Sequence, residues 1–389
     1  MQIAVAKRLE QTEEYYFSKK LREIESLRKA GKDIINLAIG SPDLPPHPTV
    51  VEELVKHSAF HNTHGYQSYK GSPILREAIA QWYQRFYDVK LDSATEVLPL
   101  MGSKEGIMHI CMTYLQAGDK VLIPNPGYPS YASAVRLSEA TAVPYTLSES
   151  NNWLPDLQAL EKDGLQGVKM MWINYPHMPT GAKATRAFFK DIIAFGKKHN
   201  ILICHDNPYS FILNDEPMSI MHIDGAKDIA IELNSLSKSV NMAGWRVGML
   251  IAEGQRIDEI LRFKSNMDSG MFFPVQAAAV KALSLDQSWY DELNATYRKR
   301  REKVFAIMDL LECSYQKDQV GLFVWAKVPD KHKDSYQLTD NILYGANVFI
   351  TPGGIFGKAG SQYIRISLCA TAETFDLAIE RIQSLLKNS

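Results

Sequence analysis

Ile229-Ala-Ile-Glu-Leu233-Asn-Ser235-Leu-Ser237-Lys238-Ser-Val-Asn-Met-Ala-Gly244-Trp-Arg246-Val-Gly248 is an apolar, strand-like run that opens into a cluster of polar groups. A strand with reactive residues beyond its carboxyl end fits an open α/β sheet, whose ligands bind there. Most lysines are solvated surface charges. Lys238, however, is flanked by hydroxyls and followed by an arginine set between two glycines. A permanent cation and small neighbours push an amine toward its neutral form, which can attack a carbonyl to form a Schiff base. The hydroxyls of Ser235 and Ser237, the Arg246 guanidinium and the glycine backbone suit a phosphate dianion. One segment therefore offers an imine-forming amine beside an anion clamp, and pyridoxal phosphate carries both an aldehyde and a phosphate.

Around this run, short apolar segments at 97–101, 120–123, 142–145, 168–174, 201–205 and 247–252 read as further strands. Helical spacing of apolar residues falls between them, as at 105–115 and 186–198. Continuous apolar strands alternating with helices predict an α/β fold with a large, mostly parallel seven-stranded sheet flanked by helices. An amphipathic stretch at 15–29, stopped by Gly31, and a proline-rich connector at 41–48 precede it. After Gln276 the pattern changes. Trp289, Leu293, Tyr297, Val304, Met308 and Leu311 mark one face of a long helix, followed by strands at 322–328, 348–351 and 362–368 and a closing helix at 375–386. The expected division is a large cofactor-binding domain at 46–280 and a smaller α+β domain built from 1–45 and 281–389.

A length of 389 residues suits two lobes. With 43 basic against 44 acidic side chains, nothing in the charge attracts nucleic acid or an anionic membrane. The four cysteines, Cys111, Cys204, Cys313 and Cys369, show no paired spacing for a disulfide framework or a metal site. No apolar run reaches the ~20 residues of a membrane span. The first residues lack a signal peptide's apolar region, so a cytoplasmic protein is expected.

Other strand ends carry chemistry too. Gly102-Ser103-Lys104-Glu105-Gly106 opens a helix after a strand and can aim backbone N–H groups at an anion, although an ordinary helix cap looks the same. Asp206 ends a strand, where a carboxylate commonly caps a loop. Against a pyridine ring it can instead keep the nitrogen protonated and make the ring an electron sink. Tyr209 can donate to a phenolic oxygen, or simply pack. Tyr128, in Pro126-Gly-Tyr-Pro-Ser-Tyr131, can stack on the ring or belong to a buried turn. Arg365, among apolar neighbours in Tyr363-Ile-Arg-Ile-Ser-Leu368, calls for a planar anion such as a carboxylate.

Together these residues resemble a fold-type I pyridoxal-phosphate enzyme of the class I/II aminotransferase family, from about Tyr15 to the C-terminus. Ser-x-Ser-Lys…Gly-x-Arg-x-Gly is the most specific motif. The resemblance implies that Lys238 carries the cofactor as an internal aldimine and shuttles a proton between Cα and C4′. It implies that Ser235, Ser237, Arg246, Ser103 and Lys104 bind the phosphate, that Asp206 pairs with the ring nitrogen, that Tyr209 contacts O3′, and that Tyr128 stacks on the ring. It also places Arg365 and the backbone of Gly40 at the substrate carboxylate, with Tyr15 beside the substrate. Tyr66 matches a tyrosine that reaches the phosphate of a partner subunit, implying a homodimer with shared sites.

The family's Asn-Pro-Thr-Gly is changed here to Met178-Pro-Thr-Gly, preceded by Asn174-Tyr-Pro-His177. A thioether cannot donate to O3′. Losing that donor is expected to raise the aldimine pKa, with Tyr209 carrying the contact and Asn174 or His177 able to compensate. The expected reaction is transamination between an amino acid and a 2-oxo acid. β-Elimination begins with the same proton abstraction and is the alternative. A non-catalytic regulator on this fold would need an added DNA-binding module, for which the stretch before Tyr15 is too short. Segments 102–106 and 267–272 look most like the subgroup of alanine, aspartate and LL-diaminopimelate aminotransferases. Lys104 can meet a second carboxylate or remain solvated, whereas Phe323, Trp325 and Tyr15/Tyr16 would admit an aromatic or methionine side chain.

Overall fold

The computed structural model describes residues 3–10 and 16–388. Its large sheet is made of β1 (Val97–Leu100), β2 (Lys120–Asn125), β3 (Thr141–Thr146), β4 (Val168–Asn174), β5 (Leu202–Asp206), β6 (Ala230–Ser235) and β7 (Gly248–Ile251). Every residue of β1, β5, β6 and β7 is buried, the pattern of strands covered by helices on both faces. β3, with its exposed threonines, is a solvent-facing edge.

The strand order is β1-β7-β6-β5-β4-β2-β3. All neighbours are parallel except β7, which runs against both β1 and β6. The seven expected strands are thus all present in a mostly parallel sheet. Because β7 alone is reversed, its first residue lies where β1 and β6 end. Gly248 pairs with Leu100 on one side and Ser235 on the other. One step across, Asn174 at the end of β4 pairs with Asp206 at the end of β5. The polar residues of five segments therefore collect along one edge of the sheet.

A second, antiparallel sheet joins β8 (Phe323–Lys327), β9 (Thr351–Pro352) and β10 (Tyr363–Ser367), with β10 central. The strand expected at 348–351 is split. Val348–Phe349 pairs in parallel with Ile35–Asn36, and after Ile350 the chain joins β10 instead. Pro352 has no N–H to extend the ladder, so β9 stays short and at the edge. Leu37 N donates to Phe349 O and Ser367 N donates to Leu37 O, holding segment 35–40 along β10. The long helix is Gln287–Leu310, capped by Asp286, and it buries Leu293, Tyr297, Val304 and Met308 as its spacing predicts. Its Arg300 forms a two-pronged pair with Asp43 (both contacts 2.7 Å) and also donates to Leu368 O. This pair fastens the loop that follows Gly40.

Candidate active site

The register at Gly248 builds one end of a cavity of about 390 Å³. A Cβ on Gly248 would lie 2.5 Å from the Ser103 backbone nitrogen, so only glycine lets the start of helix Ser103–Tyr114 come this close. Gly102, at φ +87, lies directly under the Arg246 guanidinium, 2.2 Å from where its Cβ would be. Gly244 has open space around it. Arg246 itself adopts φ +58, a left-handed conformation costing a non-glycine residue on the order of 1 kcal/mol. Its Nη1 is held by Ala243 O at 2.9 Å. Ser235 Oγ donates to Ser237 Oγ at 2.8 Å and accepts from Ser237 N at 3.1 Å.

At the centre, Asn174 Nδ2 donates to Asp206 O at 2.6 Å, and its Oδ1 accepts from Met178 N at 2.8 Å. Tyr131 Oη donates to Asp206 Oδ2 at 2.8 Å, and its ring stacks on Trp172 with centroids 5.0 Å apart. Asp206 Oδ1 is buried and has no hydrogen-bond partner among the described residues. Burial pushes the Asp206 carboxyl up to about 6, against the opposing pull of the Tyr131 hydroxyl. Burial likewise holds the Lys238 amine below its ordinary value, and the Arg365 and Arg246 charges push the same way. Lys238 Nζ donates to Gly40 O at 2.5 Å.

At the far end, Arg365 Nη2 donates to Ala38 O at 2.8 Å, and Nη1 lies 3.3 Å from Met178 Sδ. The guanidinium carbon sits 3.9 Å from the Phe323 ring centroid and 4.6 Å from that of Phe356. Every site residue expected from sequence lines this one cavity, apart from Tyr66 and Tyr15. Tyr66 is 94 % exposed and is not part of the lining. Tyr15 lies outside the described residues.

Residues 32–382 match the family Aminotransferase class I and II. The chain belongs to the class I and II aminotransferases. An LL-diaminopimelate aminotransferase of Dehalococcoides mccartyi is 40 % identical over 387 residues, covering 99 % of this chain and all of that protein. One from Aquifex aeolicus is 37 % identical over 95 % of this chain and 96 % of its own. Substrate-bound BacF from Bacillus subtilis superposes with a TM-score of 0.94 at 36 % identity, covering 99 % of this chain and 98 % of that one. Like its family, this aminotransferase transfers amino groups between amino and 2-oxo acids and uses pyridoxal phosphate.

The residues present fit that cofactor. The unpartnered, buried Oδ1 of Asp206 is an acceptor awaiting a ring N–H, and the Gly102–Ser103 turn, Arg246 and two serines form an anion cradle at the opposite end. Tyr209 lines the cavity, and burial raises its hydroxyl well above the usual phenol range, so it stays a donor. At the altered motif, His177 is not part of the lining. Its Nδ1 pairs with Thr180 Oγ1 at 2.8 Å, which leaves Asn174 as the polar neighbour on the cavity wall.

Sequence reasoning missed three contributors. In the sequence Tyr131 is one of two aromatics of the 126–131 turn, with no role of its own. Its spacing of three from Tyr128 at the start of helix Pro129–Leu137 would have placed both rings on one helix face. Phe17, rather than its neighbour Tyr16, lines the cavity. Tyr16 packs edge-on against Tyr336 instead. Trp325 stacks on Tyr363 and stays off the cavity wall, while Phe323 faces it. The Asp43–Arg300 pair had no local signal in the sequence.

Proposed function

We propose that Lys238 is the proton-shuttling base of this transaminase, and that the cavity divides into a phosphate end at Arg246 and a substrate-carboxylate end at Arg365. The observation carrying this reading is the convergence of the Lys238 amine, the vacant acceptor Asp206 Oδ1 and the Arg365 fork on one cavity. Pyridoxal phosphate, when bound, supplies an electron sink for the charge left at a substrate's α-carbon. Asp206 Oδ1 accepts the ring N–H and so keeps that nitrogen protonated. Ser235, Ser237, Arg246 and the backbone at Ser103–Lys104 hold the phosphate, aided by the helix start. Tyr128 stacks on the ring, and Tyr209, with Asn174 beside it, donates to the phenolic oxygen.

Arg365 grips the α-carboxylate with the help of the Gly40 backbone, which orients the Cα–H bond toward Lys238. Burial and the nearby Arg365 and Arg246 charges favour the neutral form of the Lys238 amine, the form that can take the α-proton and return it at C4′. In this reading the protein is a cytoplasmic homodimer. Tyr66, exposed on the single chain, reaches the partner's phosphate site. The 46–280 segment forms the cofactor-binding domain, and 1–45 with 281–389 the smaller one.

Lys238→Ala is expected to lower the rate of the single half-reaction with an amino acid by at least about 10⁴-fold, while the protein remains folded. Cofactor absorbance under single-turnover conditions measures this. A variant that retains wild-type rates would remove Lys238 from the mechanism. Ammonia release without any need for a 2-oxo acid would redirect the reaction to elimination.

A further inference from the structure

We infer that Lys264 and Asp268 are positioning residues for the partner subunit's cofactor site, because they hold the loop that carries Tyr66 in the shape that reaches across. The inference rests on the reading of Tyr66 as a phosphate ligand of the partner's site in a homodimer.

Tyr66 lies in a stretch, 64–68, that forms neither helix nor strand, and its side chain is exposed. A free loop of this kind samples many conformations, and ordering it on docking costs affinity. Here both flanks of Tyr66 are fastened to one segment of the same chain. Before it, the His64 ring centroid lies 5.8 Å from that of Phe272. After it, Lys264 Nζ donates to Tyr69 O at 3.1 Å. Between these two points Gly270, at φ +86, passes so close that a Cβ would lie 2.7 Å from Gln67 O and 2.8 Å from Ser68 O. Gln276 closes the span, accepting from Ser72 N at 2.7 Å and donating to Met271 O at 2.6 Å.

Lys264 and Asp268 form the base of this fastening. Lys264 is the buried last residue of helix Gly254–Lys264, which packs on helix Ser103–Tyr114. Its amine donates to Asp268 Oδ1 at 2.7 Å as well as to Tyr69 O. The same Oδ1 accepts from Gly270 N at 2.9 Å. One carboxylate oxygen thus fixes both the amine that holds Tyr69 and the glycine that meets Gln67. A buried ion pair adds little stability compared with packed apolar residues, because desolvating two charges offsets their attraction. What this pair supplies is geometry, since an ammonium has three donors and serves a carboxylate and a backbone carbonyl at once. Apolar residues of the same size would fill the space and leave Tyr69 O unheld.

The test uses Lys264→Met/Asp268→Asn, which removes both charges together and keeps an acceptor for Gly270 N. In this homodimer, cofactor affinity read by fluorescence titration of the apoprotein should fall about 10-fold, with the urea midpoint little changed. Pyridoxal, which lacks the phosphate, should bind as it does to the wild-type protein. Mixed dimers, isolated with two affinity tags, then locate the effect. Pairing the double variant with Lys238→Ala leaves one lysine able to bond the cofactor, and the Tyr66 facing it comes from the chain with Lys264 intact. Affinity read from the visible absorbance of lysine-bound cofactor should return to that of the wild-type protein. Affinity as low in the mixed dimer as in the double-variant homodimer would place the effect within one subunit and overturn the inference. An unchanged affinity in that homodimer, or an equal loss for pyridoxal, would overturn it too. Gly270→Ala, whose Cβ would press on Gln67 O and Ser68 O, displaces the same loop without touching a charge. Its loss of affinity should be rescued by Lys238→Ala in the same way, and a loss that is not rescued counts against the inference. A wild-type protein that sediments as a monomer with full cofactor affinity would instead overturn the shared-site reading itself.

Discussion

At the Arg246 end of the cavity, two serines, the arginine and Gly248 all come from the single run 235–248, and sheet pairing adds only the Gly102–Ser103 turn. At the Arg365 end, Phe17, Gly40, Phe323 and Arg365 come from separate segments, brought together by the pairing of β8 with β10 and by the hydrogen bond from Ser367 N to Leu37 O. The first end is rigid backbone packed on backbone. The second is made of side chains packed on a cation. Substitutions at the first should therefore act through geometry, and those at the second through recognition.

Gly248→Ala tests this contrast most severely. Its Cβ would meet the Ser103 nitrogen and Gly102 carbonyl carbon, which are backbone and cannot rotate away. A loss of about 3 kcal/mol in urea unfolding of the apoprotein is expected, with cofactor affinity lower by about 100-fold. Gly244→Ala, two residues before Arg246 and facing open space, should be close to neutral in both assays. Equal effects at the two glycines would break the comparison.

Arg365→Lys comes next. It keeps the charge but loses the planar fork, so kcat/KM should fall about 30-fold, carried mostly by KM, with the unfolding midpoint little changed. A drop in stability as large as that from Gly248→Ala would mean that the Arg365 end is also structural.

A smaller effect is expected at the centre. Asp206 has its pKa raised to about 6, and pairing with a ring N–H favours its ionised form. Cofactor binding therefore expels a proton from Asp206 at pH values below about 6, and affinity should weaken as pH falls through that value. Tyr131→Phe removes a hydrogen bond that stabilises the carboxylate. The midpoint should move up, and affinity near pH 6 should fall about 5-fold. Fluorescence titration of the apoprotein with cofactor across pH 5–8 measures both, and Asp206→Asn should flatten the profile.

The smallest shift is predicted for Met178→Asn. Restoring a donor near the phenolic oxygen should lower the pH at which the visible absorbance of the lysine-bound cofactor changes, by about one unit or less. Identical titrations for the two proteins would show that Asn174 and Tyr209 already supply that contact.

These cases also mark how far the sequence could be read. Short apolar runs marked all seven members of the large sheet, most plainly the strands buried on both faces, and helical apolar spacing marked the long helix Gln287–Leu310. The split of 348–351 between two ladders was not legible, because strand propensity is local while the choice of partner is not. Lys238 and Asp206 stood out as ionisable groups at or beyond the end of an apolar run, and Arg365 as a charge set within one.

From the sequence alone came the α/β class, the cofactor and the residues able to hold it, since those depend on residue type and short spacing. Only the tertiary structure decided that β7 runs backward and brings Gly248 between Leu100 and Ser235. It alone placed Tyr131 on Asp206 and Arg300 on Asp43, and chose Phe17 and Phe323 over Tyr16 and Trp325 as the cavity wall. Those outcomes depend on register and on which face of an element turns inward, and neither is encoded in any short stretch of chain.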